Sequence, residues 1–320
     1  MTSALKLKDQ FDQPPHAEQQ YLDLMHKVWT EGYERRDRTG VGTRSVFGAT
    51  VRYSLENDSV PLLTTKKVSW KTAAREMLWF LTGNSNIQPL VAQGVHIWTD
   101  WPLDKYRKAT GEDISRDAFE AKVIADDAFA AQWGDLGPVY GVQWTRWPKY
   151  VPAGDGLFRR DPEGVNQIAN LIQSLTTNPA SRRHIFTGWN VPELDGMALP
   201  PCHMTYQFYV ADKKLSCILY QRSCDLGLGY PFNVFSATLL TRMIAQQCGL
   251  EAHELIWNGG DVHLYLNHEH LVKEQLSRTP SGDPKLRILR EAESIFDYRI
   301  EDFAVEDYAP QAHISAPIAV

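Results

Sequence analysis

The chain has few cysteines, no long apolar run and no excess of positive charge, and each shortage excludes a class of protein. Its four cysteines, Cys202, Cys217, Cys224 and Cys248, form no C-x-x-C pair, so a zinc ribbon has no ligand set. The first residues contain no apolar stretch behind their basic side chains, so no signal peptide is expected. The longest obvious apolar run, Met77 to Leu81, is far too short for a bilayer. A soluble cytoplasmic protein with free, mostly buried thiols is therefore expected. A formal net charge of −6 argues against a protein whose main task is to coat nucleic acid. The arginines stand singly or in pairs, a distribution suited to one small anion. With no repeat, low-complexity tract or Gly/Ser linker, residues 1–320 are expected to form a single domain.

What the chain does have is a core-forming composition, 43% hydrophobic with ten tryptophans, enough flat rings for a wide interior or a lined cleft. Apolar spacing predicts a helix over 18–29 and another from Ser69, its N-cap, to Thr82 before Gly83. Further helices are expected over 164–176 and over 232–248, ended by Gly249. Strands are expected over 46–55, 184–189, 204–210 and 214–221, the last two joined as a hairpin across 211–213. Others are expected near 254–257, 262–266 and 285–289. Residues 102–133 are polar and alanine-containing and are expected to form a surface insertion, partly helical. Helices and strands mix without a regular βαβ alternation, which predicts an α+β class: a large mixed sheet packed by helices.

Chemistry concentrates at a few places. Cys202, in Leu-Pro-Pro-Cys-His, stands where two prolines fix the backbone before a strand. The common fate of a cysteine is inert burial. A Cys–His dyad is weakened because neighbours on a strand point to opposite faces, which separates His203 from Cys202. An arginine nearby would stabilise a thiolate. Gln221-Arg-Ser-Cys-Asp225 ends a strand with a guanidinium, a hydroxyl and a carboxylate. Ser181-Arg182-Arg183 and Asp37-Arg38-Thr39 add cations whose forked N–H groups match phosphate oxygens. Leu226-Gly-Leu-Gly229 has only part of a dinucleotide fingerprint. His263, His268 and His270 lack the spacing of a metal site. Glu76 lies in an apolar helix, where a buried carboxylate without a task is uncommon, although periodicity alone also allows the solvent side.

These segments together resemble the thymidylate synthase family from Tyr21 to Val320. The resemblance is carried by DRTGVGT (37–43), PLLTTKK (61–67), EMLWFLTGNSNI (76–87), GDLGPVYGVQW (134–144), SRR (181–183), MALPPCH (197–203), YQRSCD (220–225), PFN (231–233), GGDVHLY (259–265), FDYRIEDF (296–303) and the terminal APIAV. It implies that Cys202 attacks C6 of deoxyuridine monophosphate (dUMP), with 5,10-methylene-tetrahydrofolate as co-substrate and no metal. Arg38, Arg222 and Ser223 are then phosphate ligands, and Arg182 and Arg183 come from the second subunit of a homodimer. Asn233 reads the pyrimidine edge, Cys224 belongs to the nucleotide-binding stretch, and His263 and Tyr265 hold the sugar. Asp225 holds the pterin, Glu76 organises proton transfer with Tyr140 and His203, and Trp98, Trp101, Gly229 and Phe232 line the folate cleft. Ala319 and Val320 form a tail closing over it. Ser69, Gly227 and Tyr230 depart from the commoner family pattern. The rival readings are a uridylate hydroxymethylase, in which water replaces hydride, and a nucleic-acid-binding regulator. Asn233 argues against a cytidylate enzyme, and the acidic charge argues against the regulator.

Overall fold

The computed structural model describes residues 16–36 and 40–318. Arg38, Ala319 and Val320 lie outside the described residues. A six-stranded sheet forms the centre, in the order β1 (Tyr33–Arg35), β2 (Thr43–Ser54), β8 (Glu251–Tyr265), β7 (Lys214–Asp225), β6 (His203–Ala211) and β5 (Ile185–Thr187). Only β7 and β8 run parallel. Parallel neighbours need a long crossover, and helix α9 (Gly229–Gln247) supplies it. Two small antiparallel pairs, β3 (Tyr150–Gly154) with β4 (Leu157–Arg160) and β9 (Lys285–Ile288) with β10 (Phe303–Glu306), sit apart from the sheet.

Alternation along the strands sends Leu215, Cys217 and Leu219 of β7 and Leu255 and Trp257 of β8 into the core. There they meet α9, which is buried nearly all round and ends where Gly249 takes φ +63°, a conformation suited to glycine. Helix α2 (Trp70–Leu81) packs against it, and α1 (Gln19–Glu31) lies over β2 and β8 and reaches α9 through the Tyr21–Tyr230 ring stack. The opposite face of the sheet stays open. Ile185, Tyr209 and Tyr220 are exposed on it, and Ile218 and Ile256 are half-buried. The β6–β7 hairpin turns through Asp212 (φ 49°) and Lys213 (φ 62°), the left-handed pair that matches strand twist in a two-residue loop.

The structure changes three expectations. The strands near 254–257 and 262–266 are one continuous strand, β8. Gly259 and Gly260 do not break it because β2 and β7 pair it on both sides, and a Cβ on Gly260 would stand 2.8 Å from the Arg222 carbonyl oxygen. Ser69 stands at the N-cap of α2, but its hydroxyl meets the Thr72 hydroxyl at 2.9 Å and caps no backbone N–H. Residues 102–133, expected as a partly helical surface insertion, are largely helical and carry a core of their own. After the short α3 (Gln88–Val91), helices α4 (Asp100–Thr110), α5 (Arg116–Ala125) and α6 (Asp127–Trp133) enclose a satellite core of Leu103, Tyr106, Phe119, Val123 and Ala130. Tyr106 meets Trp133 edge to face at 5.1 Å. Alanines and charges concealed that core because its aromatic residues are spread over three short helices. Helices α7 (Tyr140–Thr145), α8 (Gln167–Thr177) and α10 (Glu269–Leu276) complete the helical layer.

Candidate active site

The site gathers where β6 begins and β7 ends. Cys202 precedes β6, and its backbone N–H donates to the Tyr140 hydroxyl at 2.8 Å. Its carbonyl accepts from the Arg222 N–H at 2.9 Å. The Arg222 guanidinium donates to the carbonyls of Pro201 (2.9 Å) and Pro200 (2.7 Å), and lies over the Trp189 ring. One arginine thus ties down the turn that carries the thiol.

Tyr140 is stacked on Phe80 of α2, with ring centroids 4.6 Å apart. His203 is buried, and burial holds it neutral, down to about 4, with the nearby Asn233 side chain opposing the shift. Asn233, in the first turns of α9, accepts from Gln221 Nε2 at 2.8 Å. Gln221 in turn accepts from the Trp257 indole at 2.8 Å. This relay fixes which end of the Asn233 amide is spent on the protein.

Glu76 is buried on α2 rather than solvent-facing, and Trp98 Nε1 donates to it at 2.8 Å. Burial pushes its carboxyl up to about 7, with the Trp98 bond opposing. Trp98 and Trp101 have centroids 5.3 Å apart, and Trp98 lies 5.9 Å from Tyr140.

Asp225 ends β7 beside His263 of β8. Its carboxylate accepts from the N–H groups of Gly227 (2.8 Å) and Leu228 (3.3 Å) ahead of α9. Gly229 follows, where a Cβ would lie 3.7 Å from Asn233 Oδ1, and Phe232 packs against the core. His263 Nδ1 is 3.2 Å from Asp261, and its ring meets Tyr265 edge to face at 5.4 Å. Ser223 is half-buried between Arg222 and Cys224 on β7.

Cys224 and the arginine pair are placed differently from the other expected site residues. The Cys224 side chain is buried in the core, 2% exposed; even positions of β7 face outward until Arg222, and Ser223 and Cys224 lie beyond that alternation. Arg182 and Arg183 are exposed ahead of β5, whose Ile185 pairs with Gln207, toward the far end of β6 from Cys202. The three histidines have separate tasks: His263 beside Asp261, His268 against the Pro317 carbonyl at 2.8 Å, and His270 against the Ser315 carbonyl at 2.6 Å.

The sequence profile of the thymidylate synthase family matches residues 19–320. The chain belongs to the thymidylate synthase family. It is similar to the thymidylate synthase of Sphingopyxis alaskensis, 71% identical over 306 residues, covering 95% of this chain and 98% of the relative. It is also similar to those of Novosphingobium aromaticivorans (65% over 309 residues; 97% and 98% covered) and Rhizorhabdus wittichii (64% over 305 residues; 95% and 99% covered). The reaction is that of a thymidylate synthase, a methyltransferase, and not that of the hydroxymethylase.

Within this thymidylate synthase fold, the departures at Gly227 and Tyr230 have local reasons. A Cβ on Gly227 would meet His268 Nδ1 at 3.0 Å and Asp225 Oδ1 at 3.3 Å. Tyr230 is buried against Tyr21 and shares a 2.7 Å hydroxyl contact with Tyr53. Sequence reasoning passed over Lys66 and Gln221. Lys66 is buried, donates to the Gly227 carbonyl and lies near Asp225; burial pulls its ammonium down to about 8. Its signal was a lysine pair closing an otherwise uncharged run, since lysine is seldom fully buried. Gln221 had a clearer signal, a polar residue in the inward register of Leu215, Cys217 and Leu219.

Proposed function

We propose that this chain, acting as a cytoplasmic homodimer, reductively methylates dUMP to dTMP with Cys202 as nucleophile. The observation that carries the reading is the doubly tied Cys202 turn, which Tyr140 links to the buried Glu76–Trp98 pair by its bond to Cys202 and its ring contact with Trp98. Thiolate attack at C6 turns C5 into a carbon nucleophile and moves charge onto the ring oxygen, where fixed donors act best with water excluded. Asn233 presents an amide to the pyrimidine edge, and the Gln221 bond sets its direction. Arg38, Arg222 and Ser223 receive the phosphate, and His263 and Tyr265 the sugar. Glu76 changes charge near neutrality and so moves a proton between the ring carbonyl and the second substrate, with Tyr140 and His203 in its network.

The helical wall suits a flat heterocycle: Trp98, Trp101 and Phe232 supply apolar surface, and Glu76, Asp225 and the backbone at Gly229 supply polar edges. When bound there, 5,10-methylene-tetrahydrofolate supplies the carbon unit and the hydride and leaves as dihydrofolate. Ala319 and Val320 close over it. No metal has a part in this scheme.

The dimer reading rests on the open sheet face and on the arginine pair. A groove of about 590 Å³ on that face is lined by Arg182, Gln207, Tyr209, Ile218 and Ile256. Arginines at the wrong end of β6 for their own Cys202 serve a site on a second copy across a two-fold axis. The deciding experiment is product analysis. Thymidylate plus dihydrofolate supports the scheme; hydroxymethyl nucleotide plus tetrahydrofolate overturns it. Mixing Arg183→Ala with Cys202→Ala chains should restore activity in hybrid dimers, and no recovery despite subunit exchange rules out shared sites.

A further inference from the structure

The segment His96–Trp101 carries both cleft tryptophans and is gripped from two sides. On the inner side Trp98 donates to Glu76 at 2.8 Å. On the outer side stands Glu120 of α5, buried with 6% exposure beside the core residues Phe119 and Val123 of the same helix. Its carboxylate receives the hydroxyl of Thr99, itself fully buried, and lies 2.8 Å from His96 Nδ1. Arg116, one turn earlier on α5, lies 3.6 Å from Glu120 and 3.9 Å from Asp100, and its guanidinium donates to the His96 carbonyl. Glu120 and Arg116 thus reach the residues on both sides of Trp98.

A buried carboxylate is costly unless its oxygens are satisfied. Glu120 is satisfied only while the 96–100 backbone keeps its present path. The satellite core around Tyr106 and Phe119 anchors α5 and therefore fixes where that carboxylate stands.

We propose that Glu120 is a positioning residue: through Thr99 and His96 it sets Trp98 against Glu76, making helices α4–α6 the support of the folate-side wall. This inference rests on the reading that Trp98 and Trp101 face the folate. The test uses the full-length enzyme with Glu120→Ala, Glu120→Gln and, as a surface control on α4, Lys108→Ala. The near-ultraviolet circular dichroism band lost in Trp98→Phe reports the indole's setting, and KM for each substrate reports the wall.

Glu120→Ala should lose that band and raise the KM for methylene-tetrahydrofolate by roughly tenfold or more, since small misplacements of contact groups carry large penalties. The KM for dUMP should stay within about twofold because its contacts lie on the sheet side. Glu120→Gln, which still accepts from Thr99, should restore most of both signals, and Lys108→Ala should change neither. If band and folate KM both stay unchanged in Glu120→Ala, the clamp is refuted. If the band is lost while the folate KM is unchanged, the proposal fails through the reading beneath it. Equal rises in both KM values with no rescue by glutamine reduce Glu120 to a stability residue and overturn the proposal.

Discussion

Cys202 and Arg222, with Asn233 of α9 tied to β7 through Gln221, stand on the sheet side of the site, Glu76, Trp98 and Trp101 on the helix side, and the two sides are held differently. On the sheet side the backbone does the holding. Both the N–H and the carbonyl of Cys202 are engaged, the two preceding carbonyls accept from Arg222, and Asn233 is at the end of a relay from Trp257 through Gln221. Bonds with one charged partner contribute about 1.5–3 kcal/mol each, so this turn has little freedom. On the helix side a single indole N–H reaches the Glu76 carboxyl, and aromatic packing does the rest. One donor leaves a buried carboxylate under-satisfied, and that is why it holds its proton up to about 7. The sheet side fixes a geometry, and the helix side sets a protonation state.

The largest effect should come from the fixed side. Cys202→Ser keeps every backbone bond of the turn and replaces only the nucleophile. Turnover should fall by on the order of 10⁴-fold or more, because an alcohol is a weak nucleophile at neutral pH. The melting temperature should stay within about 2 °C. Steady-state kinetics and thermal denaturation check both; substantial residual turnover removes Cys202 from the chemistry.

On the helix side, Glu76→Gln keeps the shape and removes the titration. Turnover should fall by roughly 10²- to 10⁴-fold, and any inflection near neutral in the pH dependence of kcat should disappear. Stability supplies a second readout with a definite sign. A carboxyl raised from 4.5 to about 7 binds a proton in the folded chain that the unfolded chain has lost. Folded stability therefore declines as pH rises through that window and is not regained above it. Relative to Glu76→Gln, the wild type should lose up to about 3 kcal/mol between pH 4.5 and 8, measured by urea unfolding at both pH values. Parallel pH profiles for the two proteins would place the Glu76 pKa back in the ordinary carboxylate range.

The same contrast decides how much was legible in sequence. Cys202, Arg222 and Ser223 lie in short contiguous motifs at strand ends, so local reading marked them as candidates, whereas Asn233 entered only through the family resemblance. The hairpin at 211–213 and the stop at Gly249 were legible for the same local reason. Glu76 was half legible: periodicity put it on a helix but left its face open, and only tertiary packing buries it. The support behind Trp98 was not legible, because Glu120 and Thr99 are 21 positions apart and only tertiary packing brings them together. Lys66 and Gln221 were missed although each broke a local pattern, an uncharged run in one case and an inward register in the other. Arg182 and Arg183 are the reverse case, marked clearly by sequence yet set apart from Cys202 by the antiparallel register of β5 and β6.

Asn233→Asp sharpens the contrast at intermediate size. It lies on the fixed side, and a protonated carboxyl offers a donor and an acceptor in a different arrangement from an amide. The preference for dUMP over deoxycytidylate should drop by about 10- to 100-fold, since an unpaired buried edge costs about 1–3 kcal/mol. Competition assays with both nucleotides measure the ratio. A wild type that turns over both equally removes Asn233 as the discriminator.

The smallest effect should come from His203, which adjoins Cys202 in sequence and invites a Cys–His dyad. Its ring is buried, with Nδ1 3.4 Å from the Tyr206 hydroxyl and Nε2 without a hydrogen-bond partner, and burial holds it down to about 4. Between pH 5 and 9 it is therefore neutral throughout and contributes no change of charge. A glutamine in its place keeps a donor and an acceptor within reach of the same neighbours. His203→Gln should lower kcat by less than about tenfold and leave the pH profile of kcat in place, because the group titrating near neutrality belongs to the other side of the site. The folded-state titration of His203, followed by NMR of its ring protons, should show no midpoint above 5. A profile that shifts in His203→Gln and stays put in Glu76→Gln would reverse the division of labour, making the sheet side the source of both geometry and protonation.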